Sequence, residues 1–202
     1  MKQQLFYMHG GDAYQTPEAF LEVLKNRPLR TPFGIVGKSW HQTLREDLGE
    51  GFEVFTPLMP NKQNARYEEW KIWFERHFEF ISDDVILLGW SLGGIFFAKY
   101  LSENEVPFKV KSLLLLAAPF SSPGLKDVDC GDFVLDPELV ATLHDKVADI
   151  TIVHSTDDFV VPYDHARIYK QLLPVSSLVT YKDKNHFLVE KFPELIELLK
   201  RS

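Results

Sequence analysis

Apolar residues along this chain gather in short unbroken runs, and the runs alternate with segments whose apolar residues recur every three or four positions. The runs at residues 5–8, 52–55, 85–88, 112–118, 149–154 and 177–181 read as six strands. Near-continuous apolarity, as in Leu113-Leu114-Leu115-Leu116-Ala117-Ala118, predicts strands covered on both faces, the signature of a parallel sheet. Between them, Thr16-Pro17 opens a helix through Phe20, Leu21 and Leu24, and Ser39 caps one carrying Trp40, Leu44 and Leu48 on one face. Pro32, Gly34 and Gly37 mark an irregular connection between these two. A long aromatic helix holds Tyr67, Trp70, Trp73, Phe74, His77, Phe78 and Ile81, a stripe read as core packing. Further helices follow residue 91, open at Asp136-Pro137 and run through Leu143, are capped by Asp164, and close the chain over residues 192–199. The alternation predicts an α/β fold: a doubly wound, mainly parallel six-stranded sheet, with residues 1–202 forming one domain.

In such a sheet ligands gather at the carboxyl ends of the strands, so chemically useful residues should stand just after strands. They do. The third strand runs into Gly89-Trp90-Ser91-Leu92-Gly93, a nucleophile elbow in which the glycines let strand and helix close together and Ser91 stands at the tip. A serine hydroxyl needs a neutral imidazole to take its proton, and His186, after the sixth strand, is the candidate base. The imidazole needs a carboxylate to hold its tautomer; Asp158, after the fifth strand, is the first choice and Asp157 the second. An oxyanion hole requires two convergent N–H groups: that of Leu92, next after the nucleophile, and one from His9-Gly10-Gly11-Asp12 after the first strand, Gly11 being favoured over Asp12.

Gly89-Trp90-Ser91-Leu92-Gly93, Asp158-Phe159-Val160-Val161-Pro162 and Asn185-His186-Phe187, in that order, resemble the α/β-hydrolase superfamily, and most of all its small serine hydrolases of the retinoblastoma-binding protein nine type. The resemblance spans His9 to His186 and implies hydrolysis of a carboxylic ester, thioester or amide through an acyl-enzyme on Ser91, with no cofactor and no metal. It also implies a minimal version of the fold lacking the leading strands of larger hydrolases. Trp90 and Leu92 stand where relatives of that type often carry His and small residues.

Composition narrows the partners. A net charge of −7 with no Lys/Arg run argues against nucleic acid and against an anionic membrane surface, leaving a small acyl substrate; no feature indicates a protein partner. The single Cys130 excludes an internal disulfide and a cysteine-based zinc site. With no signal-peptide pattern and no apolar run of about 18 residues, the expected location is cytoplasmic. His41, His77, His144 and His154 read as structural or solvated, His9 as shaping the oxyanion loop, and His165 as bordering the site. Asp127 to Glu138 superficially matches a calcium loop, but Asp132 stands where the turn needs glycine. Residues 119–135 read instead as a loop beside the site, with Phe120, Leu125 and Phe133 as candidate acyl-pocket residues. A catalytically silent binding module, or an acyltransferase or amidase on the same three residues, are the alternative functions.

Overall fold

The computed structural model describes residues 2–28, 38–125 and 129–202. The connection at Pro32, Gly34 and Gly37 and the positions Asp127 and Val128 lie outside the described residues.

Six parallel strands form one sheet: β1 (Gln3–Met8), β2 (Phe52–Phe55), β3 (Val85–Trp90), β4 (Val110–Leu116), β5 (Val147–Ser155) and β6 (Ser177–Tyr181), in the order β2-β1-β3-β4-β5-β6. The α-helices among the described residues are α1 (Pro17–Asn26), α2 (Trp40–Leu48), α3 (Tyr67–Glu75), α4 (Leu92–Glu103), α5 (Pro137–Val140), α6 (Asp164–Leu172) and α7 (Pro193–Arg201). Side chains alternate across the sheet, and both faces are covered. Phe6, Met8, Leu87, Leu113, Leu115 and Ile152 pack with Trp70 and Phe74 of α3, Phe96 and Phe97 of α4 and Tyr169 of α6. Leu5, Tyr7, Ile86, Leu88, Leu114 and Val153 pack on the other face with Trp40 and Leu44 of α2 and Leu195 and Leu199 of α7. The doubly wound α/β fold read from the sequence is therefore the observed one.

Because β1 continues to β2 on one side and β3 to β4 on the other, the chain reverses its direction of growth between β1 and β3. A crevice opens at the carboxyl ends of such a pair. His9-Gly10-Gly11 leaves β1 and Ser91 leaves β3 at this point.

Three elements depart from the sequence reading. The long aromatic helix stops at Glu75, is capped at Arg76, and continues only as a single 3₁₀ turn at Phe78–Phe80. His77 Nδ1 lies 2.7 Å from the Trp73 carbonyl, and the chain turns there toward β3, leaving Trp70 and Phe74 buried but Ile72 and Trp73 partly exposed. Helix α5 stops at Val140, and Leu143 opens a separate 3₁₀ turn over Leu143–Asp145; α1 is capped by Thr16 as expected and buries none of its residues. Asp164 is the first residue of α6 and not its cap; its carboxylate accepts from Arg167. No helix among the described residues is long and apolar enough to cross a membrane.

Candidate active site

At the end of β3 the Ser91 N–H donates to Leu116 O at 2.8 Å, extending the ladder with β4 up to the serine itself. The next step cannot be strand. Ser91 has φ 54 and ψ −119, a conformation that costs an L-residue roughly 1–3 kcal/mol and survives only where its surroundings impose it. Those surroundings are glycines: a Cβ on Gly89 would lie 2.5 Å from Gly93 O, and one on Gly93 2.8 Å from His9 O. The turn thus closes α4 directly against β3 and the β1 loop. Ser91 occupies the N-cap of α4, so the Leu92 N–H is the first unpaired donor of the helix.

The loop after β1 comes equally close. A Cβ on Gly10 would stand 3.1 Å from Ser91 Cβ and 3.7 Å from Ser91 Oγ, which brings the Gly10–Gly11 peptide beside the serine. Gly11 packs against Lys62 O, Leu92 and Trp70. Asp12 N–H is already spent on Lys62 O at 2.8 Å, so the second choice for an oxyanion donor has no free N–H. The N–H groups of Leu92 and Gly11 donate no hydrogen bond among the described residues. His9 fixes this loop: its Nε2 accepts from the Met59 N–H at 2.9 Å, and its Nδ1 lies 2.6 Å from Gly10 O, which makes Nδ1 the protonated nitrogen. Burial holds His9 below the usual histidine range, consistent with that neutral tautomer.

After β5 and β6 the two remaining candidates meet. Asp158 Oδ2 lies 2.8 Å from His186 Nδ1, with both side chains buried. The other oxygen, Oδ1, accepts from the N–H groups of Val160 and Val161, each at 2.9 Å, so the carboxylate is fixed at both ends. Asp157, the alternative, faces elsewhere: its Oδ1 accepts from Ser155 Oγ and from the Asn185 N–H at 3.0 Å, bracing the backbone one residue before the histidine. Asn185 (φ 50) and Phe187 (φ 56) flank His186 in left-handed conformations. Among the described residues no hydrogen bond joins Ser91 Oγ to His186; bonds of this kind often tighten only once substrate is seated.

Two tryptophans complete the support of the histidine loop, and the sequence reading gave neither a role there. Trp90 Nε1 donates to His186 O at 3.2 Å and Trp40 Nε1 to Phe187 O at 3.0 Å. An indole immediately before the nucleophile, in a fold where the base must come from a distant loop, is the one sequence signal that pointed this way.

The other residues weighed from sequence fall as follows. His154 is wholly buried on β5, its Nε2 2.8 Å from Val161 O and 3.5 Å from Asp158 Oδ2, while its Nδ1 has no partner; burial keeps it below the usual histidine range. His165 Nδ1 accepts from the Phe120 N–H at 3.0 Å, and burial lowers it too. Phe133 is fully buried against Trp70 and Tyr67 and belongs to the core, which removes it from any acyl pocket. Asp129 braces its own loop, its Oδ1 accepting from Ser122, Gln15 and Gly131. Cys130 is buried, which pushes its thiol up to about 12. No group of three or more His, Cys, Asp or Glu among the described residues is placed to hold a metal ion.

The sequence profile of one family, described as serine hydrolase, matches residues 37–200. The chain belongs to this serine hydrolase family. The match does not single out the retinoblastoma-binding protein nine type. No curated protein matches the sequence. Among solved structures, this serine hydrolase is similar to the ydeN gene product of B. subtilis, at TM-score 0.70 and 17% identity over 99% of this chain and 98% of that one. It is also similar to a meta-cleavage product hydrolase, CumD, from Pseudomonas fluorescens, at TM-score 0.61 and 13% identity over 98% and 87%. A third likeness is to an esterase domain of a Rhodothermus marinus protein, at TM-score 0.57 and 17% identity over 98% and 82%. At these identities the likenesses carry the α/β-hydrolase fold, and the family match makes the chain a hydrolase.

Proposed function

We propose that this serine hydrolase cleaves a carboxylic ester of a small acyl substrate through an acyl-enzyme on Ser91, with His186 as base and Asp158 as its orienter. The observation that carries the reading is the 2.8 Å bond from His186 Nδ1 to Asp158 Oδ2 at the sheet end where Ser91 sits in its strained turn. With Nδ1–H committed to the carboxylate, Nε2 is the lone-pair nitrogen, free to accept the Ser91 proton. Ser91 Oγ then bonds to the acyl carbon, and the carbonyl oxygen takes up negative charge facing the N–H groups of Leu92 and Gly11. Collapse breaks the bond to the alcohol, which leaves with the proton from His186. Water, deprotonated by the same imidazole, attacks the acyl-enzyme and releases the acid and Ser91. The helix N-terminus at Leu92 favours the developing oxyanion, and one such donor is typically worth ~3 kcal/mol in the transition state. Exposed Leu58, Phe159 and Leu188, on the loops after β2, β5 and β6, line the rim of this end of the sheet and favour an apolar acyl group.

The test is labelling with a fluorophosphonate followed by peptide mass analysis. The adduct is expected on Ser91, with none on a Ser91→Ala variant; labelling of that variant at the wild-type rate would sink the reading. A panel of p-nitrophenyl esters of increasing chain length, run with amine and alcohol acceptors, separates an esterase from an acyltransferase, and an anilide series separates it from an amidase.

A further inference from the structure

Next to Ser91 in the chain and bonded to the His186 carbonyl stands a side chain that the proposed chemistry does not use. Trp90 lies near two imidazoles: its ring centroid is 5.7 Å from that of His186, with planes inclined at 37°, and 5.7 Å from that of His41, at 30°. The same indole donates its N–H to the His186 carbonyl. Trp40 packs behind it at 6.0 Å and holds the next carbonyl, that of Phe187. The histidine loop needs such restraints, because Phe187 sits at positive φ, where a bulky side chain is rarely found.

We propose that Trp90 is a positioning residue for the base, its indole N–H fixing the His186 backbone while its ring, with its centroid 5.7 Å from that of the imidazole, stabilises the imidazolium formed during serine attack. The inference rests on His186 being the base. An indole within about 6 Å of a cation attracts it through the ring quadrupole, and tryptophan does so best among aromatic side chains. The attraction exists only for the charged imidazole, so it acts in the transition state and not in the resting enzyme.

The charged groups around His186 leave room for this effect. Asp158 meets Nδ1, and His154 stands beyond Asp158. Asp157 engages the Asn185 N–H, and Lys184 is paired with Glu194 of α7 at 3.0 Å. His41, the other imidazole near Trp90, is held below the usual histidine range by burial, with His9 and Lys62 adding to the effect. At neutral pH the second imidazole is therefore uncharged, and the indole meets a single cation.

Two variants separate the two halves of the role. Trp90→Phe keeps an aromatic face and loses the N–H; kcat on a p-nitrophenyl ester should fall about five-fold with KM unchanged and the acid limb of the pH profile in place. Trp90→Leu loses both; the plateau should fall further and the acid limb of kcat/KM should move to lower pH by about half a unit. If Trp90→Leu does not fold, the Trp90→Phe result stands alone, and wild-type kcat in that variant overturns the positioning role. An acid limb at the same pH in wild type and Trp90→Leu overturns the electrostatic role while leaving His186 as base. A wild-type profile with no acid limb removes the base itself, and the inference with it.

Discussion

The two ends of the sheet hold opposite kinds of feature. At the amino end, Leu101, Asn104, Phe108, Lys109, His144 and Lys146 line an open cleft of about 470 Å³. The carboxyl end concentrates strain and buried polarity. Asn61, Ser91, Ala117, Asn185 and Phe187 all take positive φ there, while Asp84 does so at the amino end. Buried His154, Asp158, His165 and His186 also lie at or near the carboxyl end. A cleft lined by solvated lysines costs the fold little to keep, whereas a left-handed serine and buried imidazoles cost stability and persist only where the structure enforces them. Strain with a buried charge partner is what sets the carboxyl end apart.

The contrast can be broken at either end. The largest effect belongs to Asp158→Asn, which keeps the shape but frees the wrong tautomer of His186: kcat should drop by about 10⁴-fold with the circular dichroism spectrum unchanged. A loss smaller than ten-fold would leave the carboxyl end without its orienting group. A smaller effect is thermodynamic. Burial lowers His9, His154 and His165, so the unfolded chain takes up protons near pH 6.5 while the folded chain resists until lower pH. Stability is then complete above about pH 6.5 and is lost as pH falls below it, because the unfolded state binds more protons. Melting temperature should decline from pH 7 to 5, and His154→Gln should flatten that slope; an unchanged slope would mean that His154 is not held neutral. The smallest effect is expected at the amino end, where Lys109→Ala and His144→Ala should change kcat/KM by no more than about two-fold.

Much of this was legible in the residues. Apolar-rich runs marked all six strands, most clearly at β3 and β4, where a strand covered on both faces needs apolar side chains at successive positions. Ser91, Asp158 and His186 were readable because each follows such a run and the chemistry demands its type. Strand order was not, since nothing local says that β1 lies between β2 and β3. The break after Glu75 hid behind an aromatic spacing that continues past the helix end. Asp157 and Asp158 are adjacent in sequence and chemically identical; only the backbone donors of Val160, Val161 and Asn185 divide their tasks. The indole bonds of Trp90 and Trp40 cross 96 and 147 residues, a range beyond any periodicity.

The buried sulfur of Cys130 gives the chain a built-in stopwatch. It is the single thiol in the sequence, and its pKa of about 12 with almost no exposed surface leaves an alkylating reagent nothing to attack while the fold is closed. Uptake of iodoacetamide therefore counts openings of the segment that pairs Asp129 with Ala13, next to the glycine loop. A serine-directed phosphonate and a thiol-directed alkylator, added to one tube, would report site occupancy and unfolding on separate channels, and each Trp90 variant could be sorted at once into those that misplace the histidine and those that loosen the whole molecule.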